Sequence, residues 1–308
     1  MTPQVLYIGG AGRSGSTVLA GLLGRQQGFV AVGELRYLWD RGLAQNHLCG
    51  CRQPFRQCPF WTDVLTDAFG SVSGAEGLDV PNRARAVDRV RFVPALARRR
   101  LGGPGFERRF RTYGDVVARL YQSIITVSGA AVVVDSSKDP SYAFVLDRLP
   151  SLELSVVHLV RDSRAVAYSW TRTRVRPEVH WKVEYMQRRK PLRTALVWGA
   201  NNLMFEDLGR GHPRFLRLRY EDFVASPDES LATVAALARG GRPTAGAAPG
   251  AGDSFVHTIS GNPSRFNDGP LHIAIDDEWR RKLSSTDRRV VTATTAPLLV
   301  RYGYLDLR

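Results

Sequence analysis

The stretch Val5-Leu-Tyr-Ile-Gly-Gly-Ala-Gly-Arg-Ser-Gly-Ser-Thr-Val-Leu19 constrains the fold more than any other part of this 308-residue chain. Val5 to Ile8 is a short apolar run that reads as a buried strand. Gly9, Gly10, Gly12 and Gly15 make a turn, and Ser16-Thr17 opens an apolar helical run from Val18 to Leu23. Strand, glycine loop and helix N-terminus together form an anion cradle, because glycines let the backbone approach, amides point inward and the helix dipole favours negative charge. The expected ligand is a phosphate or a sulfate. Gly10 to Thr17 has the Gly-x4-Gly spacing of a nucleoside-triphosphate loop, but Ser16 stands where that loop carries Lys. The fixed cation is Arg13 instead, which argues against ATP or GTP hydrolysis.

Four more short apolar runs follow: Phe29–Val32, Ala130–Val134, Leu154–Val160 and Phe215–Leu218. Separated by helical patterns, they predict a single α/β domain over 1–308 with a mainly parallel sheet flanked by helices, P-loop NTPase-like in architecture. In such a sheet the residues just past a strand's carboxyl end face the ligand crevice. That places Glu34 after the second strand, Asp135-Ser-Ser-Lys138 after the third and Arg161 after the fourth. Asp135 has three readings: a magnesium-holding residue of a kinase, a cap for the next helix, or a base in place of Glu34. His158, alternating into its strand, reads as a core histidine. Arg161 and Ser169, eight residues on in the next helix, can converge on one group at the cleft edge, and an Arg fork with a hydroxyl suits phosphate.

The net charge of +14 is carried mostly by Arg, with only four lysines. Zinc-finger, RNA-binding-sheet and basic-zipper patterns are missing, which argues against a nucleic-acid partner; a polyanionic small molecule accounts for part of the excess, and a solvated basic face or acidic lipid head groups for the rest. From Arg83 to Arg111 ten arginines stand against two acids, and the segment 80–112 reads as a basic amphipathic helical hairpin, either a solvated surface or a lid or lipid-facing collar. Residues 171–193 are basic and poorly periodic and are expected to border an acceptor pocket, with His180, Trp181 and Tyr185 as wall residues. No apolar run approaches a membrane span, and Met1 leads almost directly into the first strand, so a cytoplasmic location is expected, with peripheral membrane contact left open. Cys49, Cys51 and Cys58 with His47 offer four metal ligands, but Cys-x-Cys-x6-Cys is not a standard zinc pattern; a local disulfide or buried thiols fit better, and no metal is assigned. Ser226-Pro-Asp-Glu229 is a capping box opening a helix through Leu237, and Gly240 to Gly252 reads as a loop.

The Arg-Ser-Gly-Ser-Thr loop, the acid at 34, Asp-Ser-Ser-Lys at 135–138, Arg161 with Ser169, and the late segment His257-Thr-Ile-Ser-Gly-Asn-Pro-Ser-Arg265 ahead of Trp279 together resemble, in that order, the sulfotransferases that use 3′-phosphoadenosine 5′-phosphosulfate (PAPS), in their bacterial form. The resemblance implies that Gly12, Arg13, Ser14, Gly15, Ser16 and Thr17 bind the 5′-phosphosulfate. It also implies that Arg161 and Ser169 hold the 3′-phosphate and that Asn262 and Arg265 cap the nucleotide. Glu34 would take the acceptor's proton while Arg13 and Lys138 neutralise developing charge, with 3′-phosphoadenosine 5′-phosphate (PAP) as product and no metal required. The implied acceptor is a hydroxyl on a small molecule, secondary metabolites included, or on a glycan or lipid. A P-loop small-molecule kinase using Asp135 and magnesium, or a non-catalytic basic polyanion-binding protein, are the alternatives. The classical Lys-Gly-x-x-Gly loop of the cytosolic enzymes is absent here.

Overall fold

The structure, a computed structural model, describes residues 2–240, 257–266 and 276–306. Its five strands are β1 (Gln4–Gly9), β2 (Phe29–Gly33), β3 (Val132–Lys138), β4 (Glu153–Val160) and β5 (Phe215–Arg219). They form one parallel sheet in the order β2-β3-β1-β4-β5. The expected parallel α/β sheet is thus present, with each of the five strands where an apolar run placed it.

Apolar residues run continuously along β1 because both faces of the sheet are covered. Side chains alternate between two cores. Val5, Tyr7, Val133 and Val156 pack under the helices Pro59–Phe69, Gly103–Ser128 and Pro140–Asp147. Leu6, Ile8, Val134, Val157 and Leu159 face α1 (Ser16–Gly24) and the helix Pro227–Arg239. Leu35, Leu38, Trp39 and Leu43 continue the first core beyond β2. There the chain winds into a wide helix, Leu38–Ala44, in which the Gln45 amide donates to Asp40 O five residues back.

Several local expectations are corrected. The basic stretch is no hairpin of helices: Val80–Arg85 and Val93–Ala97 are short, and Arg108, Arg109 and Arg111 ride on the first turns of the 26-residue helix Gly103–Ser128. Pro104 in its first turn fits the start of that helix, which is why the Gly-Gly-Pro-Gly break begins an element instead of joining two. Ser226 does sit at the N-cap of Pro227–Arg239, but its side chain makes no capping hydrogen bond, so the capping box is not closed. His158 is a core residue, fully buried, its Nε2 2.7 Å from Asn202 Oδ1 and its ring stacked on Phe205. Of the two expected readings of the cysteines, the disulfide is not formed, and Cys49 and Cys58 are buried; His47 lies instead against Trp181 and Arg176. The expected loop from residue 241 to 252 lies outside the described residues. Among the described residues no helix is long and apolar enough to cross a membrane.

Candidate active site

From β1 the chain builds outward to β3 and β2 on one side, then crosses to β4 and β5 on the other. The carboxyl-end crevice at such a reversal is where open α/β sheets take ligands. A cavity of about 420 Å³ opens there. Gly10 to Arg13 and Gly15 to Thr17 form one wall, Glu34 and Lys138 another, and Trp170, Met186 and Arg189 a third, with Ser14 buried behind the first.

The glycines of the first wall are required by contact as well as by dihedral angle. Gly10 has φ 129°, and a Cβ there would lie 2.3 Å from Leu159 O of β4. Gly15, at the N-cap of α1 with φ 92°, would drive a Cβ to 2.4 Å from the Tyr220 ring. Arg13 itself holds a left-handed φ of 75°, an uncommon conformation for a side chain of its kind and one that concentrates at functional loops. The loop is braced from the β4 side: Arg161 donates to Arg13 O (3.1 Å) and Trp170 Nε1 to Gly12 O (3.3 Å).

Two side chains of this loop stand out. Ser14 is fully buried behind the cavity wall, and its hydroxyl has no hydrogen-bond partner among the described residues. The Arg13 guanidinium makes no ion pair among the described residues; it donates to Met186 Sδ at 3.0 Å and lies 5.0 Å from the centre of the Trp170 ring. Burial first, then the like charges of Arg174 and Arg189, lower its pKa to about 10 despite the opposing pull of Glu34. A cation crowded by cations gains from a bound oxyanion.

Across the cavity, Glu34 Oε1 accepts from Lys138 Nζ at 2.5 Å, and Oε2 accepts from Ser260 Oγ at 3.1 Å with Arg41 3.7 Å away. Burial pushes the Glu34 pKa upward, but Lys138 and Arg41 overcome it and hold the carboxyl below its ordinary value. Glu34 is therefore an anion at neutral pH. Lys138 ends β3 with φ 66°, at a shift in the β1–β3 register, so the chain twists its ammonium back over Ser136 O (2.9 Å) and into the cleft. Asp135 lies deeper. It is fully buried and lines no part of the cavity; its oxygens accept from Tyr121 OH (2.6 Å) and from the amide and hydroxyl of Ser137 (2.7 and 2.5 Å). Burial raises its pKa to about 6, against the lowering effect of those donors. A carboxylate so enclosed serves neither as the cavity's base nor as a magnesium ligand in it.

The other expected site residues divide. Gly12, Arg13, Gly15, Ser16, Thr17, Glu34, Lys138 and Asn262 line the cavity. Asn262 is brought there by its own amide, which donates to Thr17 Oγ1 at 3.3 Å and so docks the late loop on the start of α1. Arg161 sits just behind, buried, its guanidinium on Asp276 (3.4 Å to Oδ2) and over the Tyr220 ring. Ser169 is buried on the helix Ser163–Thr171 and does not reach the wall. Arg265 is a correction: it is buried away from the cavity, donating to Thr258 O and to Leu48 O (3.1 Å), and it braces the late loop internally. His180, Trp181 and Tyr185 do not line the cavity either. Sequence reasoning missed Trp170, Met186, Arg189, Arg41 and Ser260. Met186 and Arg189 lie in the 171–193 stretch expected to border the pocket and Ser260 in the late segment, so there only the individual residues were missed; Trp170, next to Ser169, and Arg41, on the wide helix, lay outside any segment singled out.

The family model described as "Sulfotransferase family" matches residues 4–238. No match to the chain is found among curated protein sequences. Among solved structures the chain is similar to the "Sulfotransferase Domain from the Curacin Biosynthetic Pathway", with a TM-score of 0.49 and 16% identity over 98% of each chain. The matched span runs from β1 through the helix Pro227–Arg239 and contains the glycine loop, Glu34, Lys138 and Arg161; the chain belongs to the sulfotransferase family.

Proposed function

We propose that this protein transfers a sulfuryl group from PAPS to a hydroxyl of a small-molecule, glycan or lipid acceptor. The observation that carries the reading is the facing pair of walls: a glycine loop at a helix N-terminus, whose Arg13 makes no ion pair among the described residues, opposite the Glu34–Lys138 ion pair. PAPS supplies an activated sulfuryl group on its 5′-phosphate. Arg13 and the loop amides hold that phosphate, with the N-terminus of α1 adding its dipole. Arg161 takes the 3′-phosphate, the Asp276 carboxylate giving way to it, and Asn262 closes the late loop over the nucleotide. Ser169 supports this end from within its helix.

Lys138 has two partners in turn. Without donor it neutralises Glu34; with donor it swings to the phosphosulfate oxygens, where negative charge grows as the bond to sulfur breaks. Glu34, relieved of one cation, becomes the stronger base and accepts the acceptor's hydroxyl proton. The acceptor approaches past Tyr37, Val90 and Met186, an apolar flank that suits a hydroxyl carried on an apolar body. Positioning and fixed cations do the work, as in phosphoryl transfer. A kinase reading fails on the missing loop Lys and on the enclosure of Asp135.

The test is production of PAP from PAPS, followed with a panel of phenolic, sugar, sterol and fatty hydroxyls and without added magnesium. The reading predicts acceptor-dependent PAP that falls by about 10²- to 10⁴-fold in Glu34→Gln. Turnover with ATP but none with PAPS contradicts it.

A further inference from the structure

Away from the cavity, a second constellation of side chains has no part in sulfuryl transfer. Cys49, Cys51, Cys58 and His257 each offer one ligand atom, and the four atoms all lie within 4.8 Å of one another. Cys51 Sγ is 3.6 Å from Cys58 Sγ, and Cys58 Sγ is 3.2 Å from His257 Nδ1. A tetrahedral zinc with Zn–S near 2.3 Å and Zn–N near 2.0 Å has ligand-to-ligand edges of roughly 3.5–3.8 Å. A disulfide needs sulfurs at roughly 2.0 Å. The Cys51–Cys58 spacing is that of a tetrahedron's edge and not that of a bond, and the other ligand atoms lie close enough to gather round one ion.

We propose that Cys49, Cys51, Cys58 and His257 form a closed Cys3His site for a structural zinc ion.

The surroundings fit a metal centre. The His257 ring is fixed by stacking on Phe60 at 4.9 Å, and its carbonyl accepts from Trp61 Nε1 at 3.0 Å, so Nδ1 is held toward the sulfurs. The Gly50 amide, between two of the cysteines, donates to Thr258 O at 3.0 Å, joining the cysteine loop to the histidine's strand independently of any metal. Three thiolates, one neutral imidazole and Zn²⁺ carry a net charge of −1, and every thiol still protonated before binding releases its proton to solvent. A counter-charge is in place: the buried Arg265 guanidinium bonds to Leu48 O and Thr258 O, the neighbours of Cys49 and His257, and its Nε has no hydrogen-bond partner among the described residues. With four protein ligands there is no open position, so the ion is structural and stands apart from the transfer reaction.

The site also explains why residues 199 apart in sequence are locked together here. Just beyond His257, Ile259 pairs with the end of β2: its amide donates to Val32 O (2.9 Å) and its carbonyl accepts from the Glu34 amide (2.7 Å). Ser260 follows, on Glu34 itself. Zinc would staple this segment to the body of the fold and hold Glu34's seat from behind.

The test is metal analysis of the full chain with Co²⁺ as a spectroscopic probe. One equivalent of zinc is expected after purification without chelator, lost in Cys58→Ser and in His257→Gln and retained in His47→Gln. Replacement by Co²⁺ should give thiolate-to-cobalt charge transfer in the near ultraviolet and the intense visible bands of a tetrahedral ion. Because the unmodified chain carries that spectrum, the result does not depend on a variant folding. A chain that purifies without metal and shows no such bands with Co²⁺ overturns the proposal, as does an intact mass lighter by two hydrogens, which marks a disulfide.

Discussion

At the scale of single residues, the account turns on two carboxylates that sequence left as rivals. Glu34 and Asp135 both follow apolar strands, and neither position says which is exposed. The structure separates them by their partners: cations hold Glu34 ionised at the cavity wall, whereas burial keeps the enclosed Asp135 reluctant to ionise. Their variants should therefore differ in kind. Lys138→Ala removes a cation that lowers the Glu34 pKa, so the acid limb of kcat/KM should move to higher pH relative to the unmodified enzyme; an unmoved limb means that Glu34 is not the base. Asp135 has a folded pKa of about 6, above its unfolded value of about 3.9. The fold then favours the protonated form, and the stability that this contributes is full below the unfolded value and is lost as pH rises through about 6. Chemical denaturation across that window should show a decline of roughly 3 kcal/mol from this group that is absent in Asp135→Asn.

At the scale of elements, the legible parts were those in which the same residues decide both local structure and burial. Strands β1 to β4 were readable because they are covered on both faces, so Val5–Ile8 and Leu154–Val160 needed no context to be recognised, while the half-buried edge strand β5 showed only a short apolar run. The glycine loop was readable because close approach and positive φ permit little else. What could not be read is set by partners distant in sequence. Arg265 looked like a ligand-binding arginine, but its acceptors are backbone carbonyls at Leu48 and Thr258, which leave no mark on residue type. The basic stretch 83–111 concealed its division because arginine suits a helix start, a helix middle and a short surface turn alike. One glycine beyond the loop tests the element picture. Gly33 has φ 76°, and a Cβ there would lie 2.4 Å from Ile259 O and 2.8 Å from Ile259 N, both immovable backbone atoms. Gly33→Ala should cost on the order of 2 kcal/mol or more and reduce turnover by displacing Ser260 from Glu34. Thermal denaturation and kcat measured together check both halves, and an unchanged Tm would show that the late segment does not pack on β2 as described.

At the scale of the whole molecule, the charge of +14 and the crowded cations around Arg13 bear on how a polyanionic donor arrives. Arg174 and Arg189 make no direct claim on the reacting atoms, yet they deepen the potential of the cleft. With a screening length of about 10 Å at 0.1 M salt, this steering weakens with ionic strength. Raising salt from low to moderate concentration should lower kcat/KM for PAPS several-fold while kcat changes little; an equal fall in both would place the effect in chemistry and not in capture. The measurement that bears most directly on the central claim is isothermal titration of PAP set against ADP and AMP. Selective tight binding of PAP, weakened by about 10-fold or more in Arg161→Ala, is the predicted result. Equal or tighter binding of ADP, strengthened by magnesium, would contradict this reading and return the cleft to a small-molecule kinase.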